Sequence, residues 1–316
     1  MGYILERGDL CFHSTLRGLV RTPRELDLSR AYLLAILIAT PLVYAFMGLG
    51  WIDPWIPPFA WRANVVGGVI FGVGMVTASS CITGFFYKLG HGMLGVLVGL
   101  AFWFIGDVVT YIGFLSPLRD GLQSAVSVDG QSATLVNLFE PYGWVLAILG
   151  GVLILFWLWR SPRRDRGVLW GWLVLGGTLG IYMGLSWLLA DLGGSSYPYG
   201  TSSIPTKIYL AMTRGGVGGS IWIPVTLVAL IPGAFIAARR SGTLWVRGES
   251  TRRYLELALG GFLMGVGAAI AGGCNLGHSL VGVPLLSMGS ITTTVSMLLG
   301  VFLADRSIKF ISARRG

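Results

Sequence analysis

The sequence predicts an all-α integral membrane protein, a polytopic helical bundle with an inverted internal repeat of glycine-rich, broken helices. Three observations lead to this prediction. Of 316 residues, 54% are apolar and 12% are charged, and the mean hydropathy of +0.73 is well above that of soluble globular chains. Eight long apolar stretches alternate with polar segments. Two of these stretches share a glycine pattern that closes on a cysteine.

The apolar stretches have the length of membrane-spanning helices. Each runs for roughly 15 to 24 residues with at most one charge, and a helix needs about 20 residues to cross about 30 Å of hydrocarbon. None of them alternates apolar and polar residues as a transmembrane strand does. We therefore predict eight helical crossings, at 31–50, 63–79, 92–114, 143–159, 167–190, 221–238, 255–271 and 290–304.

The net charge of +9 is explained by the membrane, and no nucleic-acid partner is expected. If segment 17–30 is cytoplasmic and the chain crosses at every span, 18 of the 23 lysines and arginines lie on the cytoplasmic side. This follows the positive-inside rule, so we expect a multi-pass membrane protein in contact with lipid. No cleavable signal peptide is expected within residues 1–30. The cations expected outside are Arg62, Arg119, Lys207 and Arg214.

Two segments of the chain align without a gap. GGVIFGVGMVTASSCITG (67–84) and GGFLMGVGAAIAGGCNLG (260–277) have a constant offset of 193 and share eight of eighteen residues. Close helix packing alone can produce the glycine spacing, but a matched cysteine, Cys81 with Cys274, is rarer. The first copy enters the membrane from outside and the second from inside, so the predicted repeat is inverted. Inverted repeats of this kind are typical of transporters whose site lies between the two halves.

We expect one membrane domain, 1–316, to hold both copies of the repeat. Repeat one covers approximately 63–114 and repeat two approximately 255–305. The sequence match between the two copies resumes weakly near their ends, where FIGD ends at Asp107 and FLAD ends at Asp305.

The polar segment 191–220 contains too many glycines and prolines to span, and it forms an external loop in the predicted topology. It is either an entry vestibule, which offers hydroxyls and two cations to an arriving anion, or an ordinary loop. The acids Asp107 and Glu256 also have two interpretations, proton coupling or a structural role near a helix end.

Three cysteine segments resemble the YeeE/YedE family of sulfur transporters. They are ERGDLCF (6–12), CITG (81–84) and GGCNLGH (272–278), and the resemblance covers most of the chain. Ser79 and Ser80 depart from it, since they stand where the second repeat has Gly272 and Gly273, the pair similar to the family's usual small residues. It implies a helical, channel-like transporter, pinched at its middle, in which three thiols line the route and pass the substrate along by hydrogen bonds. The chain begins almost at the first motif, so the membrane helix that normally precedes it is expected to be missing.

The resemblance implies a protein of the bacterial inner membrane that takes up thiosulfate or a related sulfur oxyanion and has no enzymatic activity. A cytoplasmic sulfur-carrier protein is a candidate partner. No cofactor is expected, and no metal either, because the spacing of the cysteines and histidines matches no zinc pattern. The open alternatives are transport of another sulfur or selenium compound, and a membrane redox protein that uses its cysteines. The predicted substrate-binding and relay residues are Cys11, Ser80, Cys81, Gly84, Gly273, Cys274, Asn275, Gly277 and His278.

Thiols and glycines suit an anion that has lost its water. A divalent oxyanion at the bilayer centre needs many donors at once, and glycine lets backbone N–H groups approach it closely. A cysteine thiol, whose ordinary pKa is about 8.5, stays neutral in an apolar site and donates a weak hydrogen bond to a soft acceptor. We therefore expect Cys81 and Cys274 to act as neutral donors, with Cys11 as a relay on the cytoplasmic side.

Overall fold

The computed structural model describes residues 1–20, 25–128, 130–162, 166–215 and 220–313. Within these ranges the secondary structure is helical apart from a short antiparallel hairpin, β1 (Ser127–Val128) and β2 (Gln131–Ser132). Several cations that were counted on the cytoplasmic side lie outside the described residues; they are Arg21, Arg24, Arg163, Arg164, Arg314 and Arg315.

The helices follow one another along the chain, with connections of unequal length. The first half of the chain contains α1 (Gly2–Gly8), α2 (Phe12–Val20), α3 (Asp27–Gly48), α4 (Trp61–Ala78), α5 (Ile82–His91), α6 (Val96–Ile112), α7 (Ser116–Leu122), α8 (Leu135–Leu138) and α9 (Gly143–Trp159). The second half contains α10 (Trp172–Leu192), α11 (Ile204–Arg214), α12 (Trp222–Val228), α13 (Leu230–Ser241), α14 (Thr251–Ala271), a π-helix (Leu276–Gly282) and α15 (Met288–Ala313).

Among the described residues, six helical segments are long and apolar enough to cross a membrane, and α6 with α7, bent by 68°, would form a seventh. The prediction of a polytopic all-α membrane protein is therefore confirmed. Each predicted span coincides with a helix, although α9 has 17 residues and span 221–238 divides at Ala229. Pro232 explains that division because a proline removes the hydrogen bond to the carbonyl four residues earlier. The count of eight crossings stays a prediction.

The centre of the fold is the pair α4 and α14, which pack antiparallel. A Cβ added at Gly67 would come within 2.6 Å of the Gly267 carbonyl oxygen, and one at Gly74 within 2.9 Å of the Gly260 carbonyl oxygen. Contacts this close require glycine, because any side chain would push the two backbones apart. The glycines that match in sequence thus meet reciprocally. The inverted orientation of the repeat in a membrane, like the single domain 1–316, stays a prediction.

Two further helices flank this pair. A Cβ at Gly72 of α4 would come within 2.9 Å of Gly300 in α15, so these two helices also pack backbone to backbone. A Cβ at Gly265 of α14 would come within 3.0 Å of Gly106 in α6. Each repeat segment therefore packs against the partner segment and against the long helix that follows that partner.

Both central helices break before their cysteine. Ser79 and Gly272 adopt left-handed backbone conformations, with φ of 46° and 79°, and end α4 and α14. Carbonyls exposed by a break need partners, because lipid supplies none. Arg253 of α14 donates to the Ala78 carbonyl, and the Asn64 side chain of α4 donates to the Ala271 carbonyl at 3.3 Å. Each helix thus caps the end of the other, and Trp61–His91 forms one candidate span with a break, as predicted.

Candidate functional site

The Cys81 turn is set by local backbone geometry. After left-handed Ser79, Cys81 takes an extended conformation and becomes the N-cap of α5. Its sulfur accepts a hydrogen bond from the Gly84 backbone N–H at 3.2 Å. The thiol thus lies at a helix N-terminus, where free N–H groups and the helix dipole favour an electron-rich partner.

Cys11 meets Cys81 in three dimensions. Its sulfur lies 3.5 Å from the Cys81 sulfur and 3.9 Å from the Ser80 hydroxyl, and both thiols are 1% exposed. Cys11 also lies two residues after a left-handed residue, Asp9 with φ of 46°. The Tyr87 hydroxyl donates to the Asp9 carboxylate at 3.2 Å and holds this turn against α5. Four predicted site residues therefore form one group: Cys11, Ser80, Cys81 and Gly84.

This group is tightly packed. A Cβ at Gly84 would come within 2.5 Å of the Ser80 hydroxyl, 3.1 Å of the Cys11 sulfur and 3.4 Å of the Cys81 sulfur. Glycine is therefore required here for close approach. The neighbouring Thr83 hydroxyl is buried and finds no hydrogen-bond partner in the described parts of the chain.

A cavity of about 490 Å³, the Cys11-side cavity, lies next to this group and is lined by Asp9 and Tyr87. Its charged lining is mixed. His91 Nδ1 lies 2.5 Å from Glu6 Oε1, and burial raises the pKa of the Glu6 carboxyl while the hydrogen bond with His91 opposes that rise. The lining cations are Arg7, Lys88 and Arg247.

The Cys274 turn follows the same pattern with a different continuation. The chain passes from left-handed Gly272 through Gly273 to Cys274, which is fully buried. The π-helix then begins at Leu276. π-helices are rare and occur frequently at functional sites. The Asn275 side-chain oxygen is buried and has no hydrogen-bond partner among the residues that the structure describes.

Tyrosines hydrogen-bond the backbone around the π-helix. Tyr197 donates to the Gly277 carbonyl at 2.7 Å, and Tyr32 donates to the Ser279 carbonyl at 2.7 Å. These two bonds stabilise the irregular backbone because regular helical bonding does not use every carbonyl there. The tyrosines come from distant segments, so the π-helix depends on tertiary packing.

His278 is held by the protein. Its Nδ1 lies 3.0 Å from the Ser290 hydroxyl, and its Nε2 lies 3.1 Å from the Ala271 carbonyl oxygen. A Cβ at Gly273 would come within 2.7 Å of Nε2, so the ring packs directly on the turn. Both ring nitrogens are engaged, and the ring fixes the Cys274 turn. Substrate contact by His278 stays a prediction.

A second cavity, the Cys274-side cavity, has a volume of about 510 Å³ and is lined by Gly273 and Gly277. Segment 191–220 contributes much of its wall, including several hydroxyls. Arg119 and Lys207 also line it, and within the described chain no acidic side chain does. Its lining therefore suits an anion, which supports the vestibule interpretation of the external loop.

Thr201 lies at the Cys274 turn, and the sequence patterns did not indicate it. It is fully buried beside the Cys274 thiol. Apart from this interaction with sulfur, its hydroxyl has no hydrogen-bond partner among the described residues. Threonine is too common in polar loops for the sequence alone to single out this position. Leaving a buried hydroxyl without a good partner costs roughly 1–3 kcal/mol, so the group is available to an incoming acceptor.

Asp107 is held by several hydrogen bonds. Its carboxylate accepts bonds from the Ser203 N–H at 3.0 Å, the Thr206 N–H at 3.2 Å and the Thr206 hydroxyl at 2.7 Å, all at the start of α11. It therefore anchors the segment that leads into α11. Glu256 pairs with Arg252 and Arg253 at a helix surface. These partners favour the structural interpretation of both acids.

The described residues bring no three His, Cys, Asp or Glu side chains together as a metal ion would require. The absence of a metal from the protein stays a prediction. The predicted site residues instead form two separate groups. Because Ala271 meets Gly67 and α4 ends at Ala78, the two cysteine turns lie at opposite ends of a contact about 16 Å long.

Comparisons with known proteins identify similar sequences. A family model described as sulphur transport matches residues 7–303. The chain is 29% identical over 314 residues to the thiosulfate transporter TsuA of Spirochaeta thermophila, covering 95% of this chain and 93% of that relative. It is 28% identical over 326 residues to TsuA of Escherichia coli, covering 96% and 91%. A probable transporter, YedE of Escherichia coli, matches over 173 residues, 52% of this chain and 40% of YedE, at 28% identity.

Proposed function

Because the chain belongs to the sulphur transport family, we propose that it carries thiosulfate, or a related sulfur oxyanion, into the bacterial cell across the inner membrane. The relatives named as thiosulfate transporters match this chain over nearly their whole length. As a member of a transporter family, the protein is a transporter rather than an enzyme.

One observation carries the proposed route. Two cavities of similar size lie at opposite ends of the α4–α14 pair, and each adjoins a cysteine turn. The Cys274-side cavity is the proposed entrance, because its described lining combines cations and hydroxyls without acids. The Cys11-side cavity is the proposed exit. This direction follows the positive-inside assignment of the loops.

Cys274 and Cys81 would act as neutral donors along the route, and Cys11 as a relay on the cytoplasmic side. Cys274 is reached first, and Cys81 with Cys11 receives the substrate before it leaves. All three thiols are at most 1% exposed, so the substrate would reach them only when side chains between the cavities move. Neutral thiols suit this task because a thiolate would repel the anion and a covalent bond would slow release. Gly84 and Gly277 would let the backbone approach the substrate.

Binding and relay by the predicted residues is part of this proposal. Ser80 supports it by its position 3.9 Å from Cys11, and Asn275 supports it by a buried oxygen without a described partner. A cytoplasmic sulfur-carrier protein is the proposed acceptor on the inner side, where the exit cavity lies among α1, α5 and the loop after α13.

The test is uptake of labelled thiosulfate by cells that lack other importers. We expect Cys81→Ala and Cys274→Ala each to lower the rate to about one tenth or less, the effect of losing roughly one hydrogen bond to a charged group. Cys→Ser variants should keep partial activity. Protein levels in the membrane, measured by immunoblot, provide the control. Wild-type rates in both alanine variants would contradict the relay.

The geometry also supports a second candidate function, a membrane protein that cycles a dithiol. The 3.5 Å separation of the Cys11 and Cys81 sulfurs is its basis, because two thiols this close need little movement to join. If redox cycling were the function, thiosulfate uptake would be absent from wild-type cells. A thiol count on the purified protein before and after oxidation would then detect the cycle.

A further inference from the structure

We propose that Thr201 is a further substrate-contacting residue of the pathway, which donates its hydroxyl to a substrate oxygen beside Cys274. This inference rests on the proposed function and extends it from thiols to a hydroxyl. Thr201 is fully buried, and beyond the Cys274 sulfur its hydroxyl finds no hydrogen-bond partner among the described residues.

The neighbours of Thr201 fix its position over the Cys274 turn. The Cα of Gly200, on one side, would lie 3.7 Å from a Cβ added at Gly277. Ser202, on the other side, donates its hydroxyl to the Ala268 carbonyl of α14 at 3.0 Å. Residues 200–202 therefore contact both α14, which precedes the turn, and the π-helix, which follows it. Thr201 lies between these two contacts, next to the thiol.

The same arrangement exists at the other cysteine turn. Cys11 lies beside Cys81, and the helix that follows it, α2, is anchored by Arg17, whose Nε lies 2.9 Å from the Asp305 carboxylate of α15. Thr201 lies beside Cys274, and the helix that follows it, α11, is anchored by Asp107 of α6. Thr201 thus occupies the place at Cys274 that Cys11 occupies at Cys81.

The exchange of a thiol for a hydroxyl has a chemical consequence. A hydroxyl is a stronger donor than a thiol and suits an oxygen acceptor, whereas a thiol suits a softer sulfur acceptor. The outer position thus combines one donor for oxygen with one for sulfur. An anion that carries both atoms at its surface, such as thiosulfate, satisfies both donors at once. An anion without oxygen leaves the Thr201 hydroxyl without an oxygen acceptor.

The hydroxyl can be tested by the concentration dependence of labelled thiosulfate uptake. Thr201→Val keeps the shape of the side chain and removes the donor, and we expect about a tenfold higher KM with an unchanged maximal rate. Thr201→Ser keeps the donor and should have a KM near the wild-type value. Thr178→Val is the control, because the Thr178 hydroxyl bonds to its own helix at the Val174 carbonyl.

A further variant covers the case in which Thr201→Val does not fold. Thr201→Cys replaces the hydroxyl with a weaker donor, so its KM should exceed that of Thr201→Ser. A structural role would instead lower the amount of folded protein and the maximal rate with KM unchanged. If the wild-type protein takes up thiosulfate and all Thr201 variants have the same KM as the wild type, this inference is wrong and the proposed function stands. A wild-type protein that takes up no thiosulfate would overturn the proposed function and this inference with it.

Discussion

The Cys81 and Cys274 turns begin alike and then differ. In each, a glycine-rich helix ends at a left-handed residue, and the cysteine follows two positions later. At Cys81 the chain continues as a regular α-helix, and a second thiol lies at 3.5 Å. At Cys274 it continues as a π-helix, and the neighbour is the hydroxyl of Thr201.

The two turns also differ in how much room they leave. Gly84 is surrounded by sulfur and hydroxyl atoms within 3.4 Å of an added Cβ, whereas the nearest atom to a Cβ at Gly277 lies at 3.6 Å. Gly277 lines a cavity with hydroxyls and cations, and Gly84 does not line the cavity on its side. In the proposed route, the open position at Cys274 would therefore select the anion and the closed position at Cys81 would pass it on.

Among the tests of this comparison, oxidation of Cys11 and Cys81 should change the uptake rate most. Diamide takes two electrons and two protons from Cys11 and Cys81 as their sulfurs join, which removes both inner donors. We expect uptake to fall to background and to recover after reduction with dithiothreitol. Cys11→Ser should make the residual uptake resistant to diamide, because no second thiol is then close to Cys81. Equal inhibition of Cys11→Ser would place the sensitive group elsewhere.

Replacing Gly84 and Gly277 with alanine should show a further difference between the two turns. Gly84→Ala forces a methyl group against Ser80 and Cys11, so we expect at least about a tenfold loss of uptake. Gly277→Ala meets ordinary van der Waals contacts and should lose less than about threefold. The control is Gly150→Ala in α9, where an added Cβ meets no atom within 4 Å. Equal losses at both turns would remove the distinction between open and closed positions.

The smallest expected effect concerns the tyrosines that support the turns. Tyr197→Phe removes the bond to the Gly277 carbonyl, and Tyr87→Phe removes the bond to the Asp9 carboxylate. Loss of the bond to the neutral Gly277 carbonyl amounts to about 1 kcal/mol, so we expect a reduction of roughly fivefold or less in uptake. The Tyr87 bond is to a carboxylate but is long for an O–H···O bond at 3.2 Å, so its loss should be of similar size. Tyr197→Phe should act mainly on KM, because the Tyr197 ring lines the proposed entrance. A change confined to the maximal rate would contradict that assignment.

Hydropathy and cysteine spacing by themselves determine much of this protein. The eight apolar stretches coincide with helices, because the length and polarity of a span are local properties that lipid imposes on each segment separately. The matched glycines also identify the closest contact of the fold, since only glycine permits backbones to touch there. The cysteine turns are recognisable for the same local reason.

The tertiary structure alone decided which groups face each thiol. Nothing in the sequence places Cys11 beside Cys81, 70 residues away, or Thr201 beside Cys274. Nor does it show that Asp107 bonds the first turn of α11 and that Ser290 engages the His278 ring. Hydropathy describes each segment on its own, while these neighbours depend on how helices distant in the chain pack together. Common residues such as threonine gain their roles only through that packing.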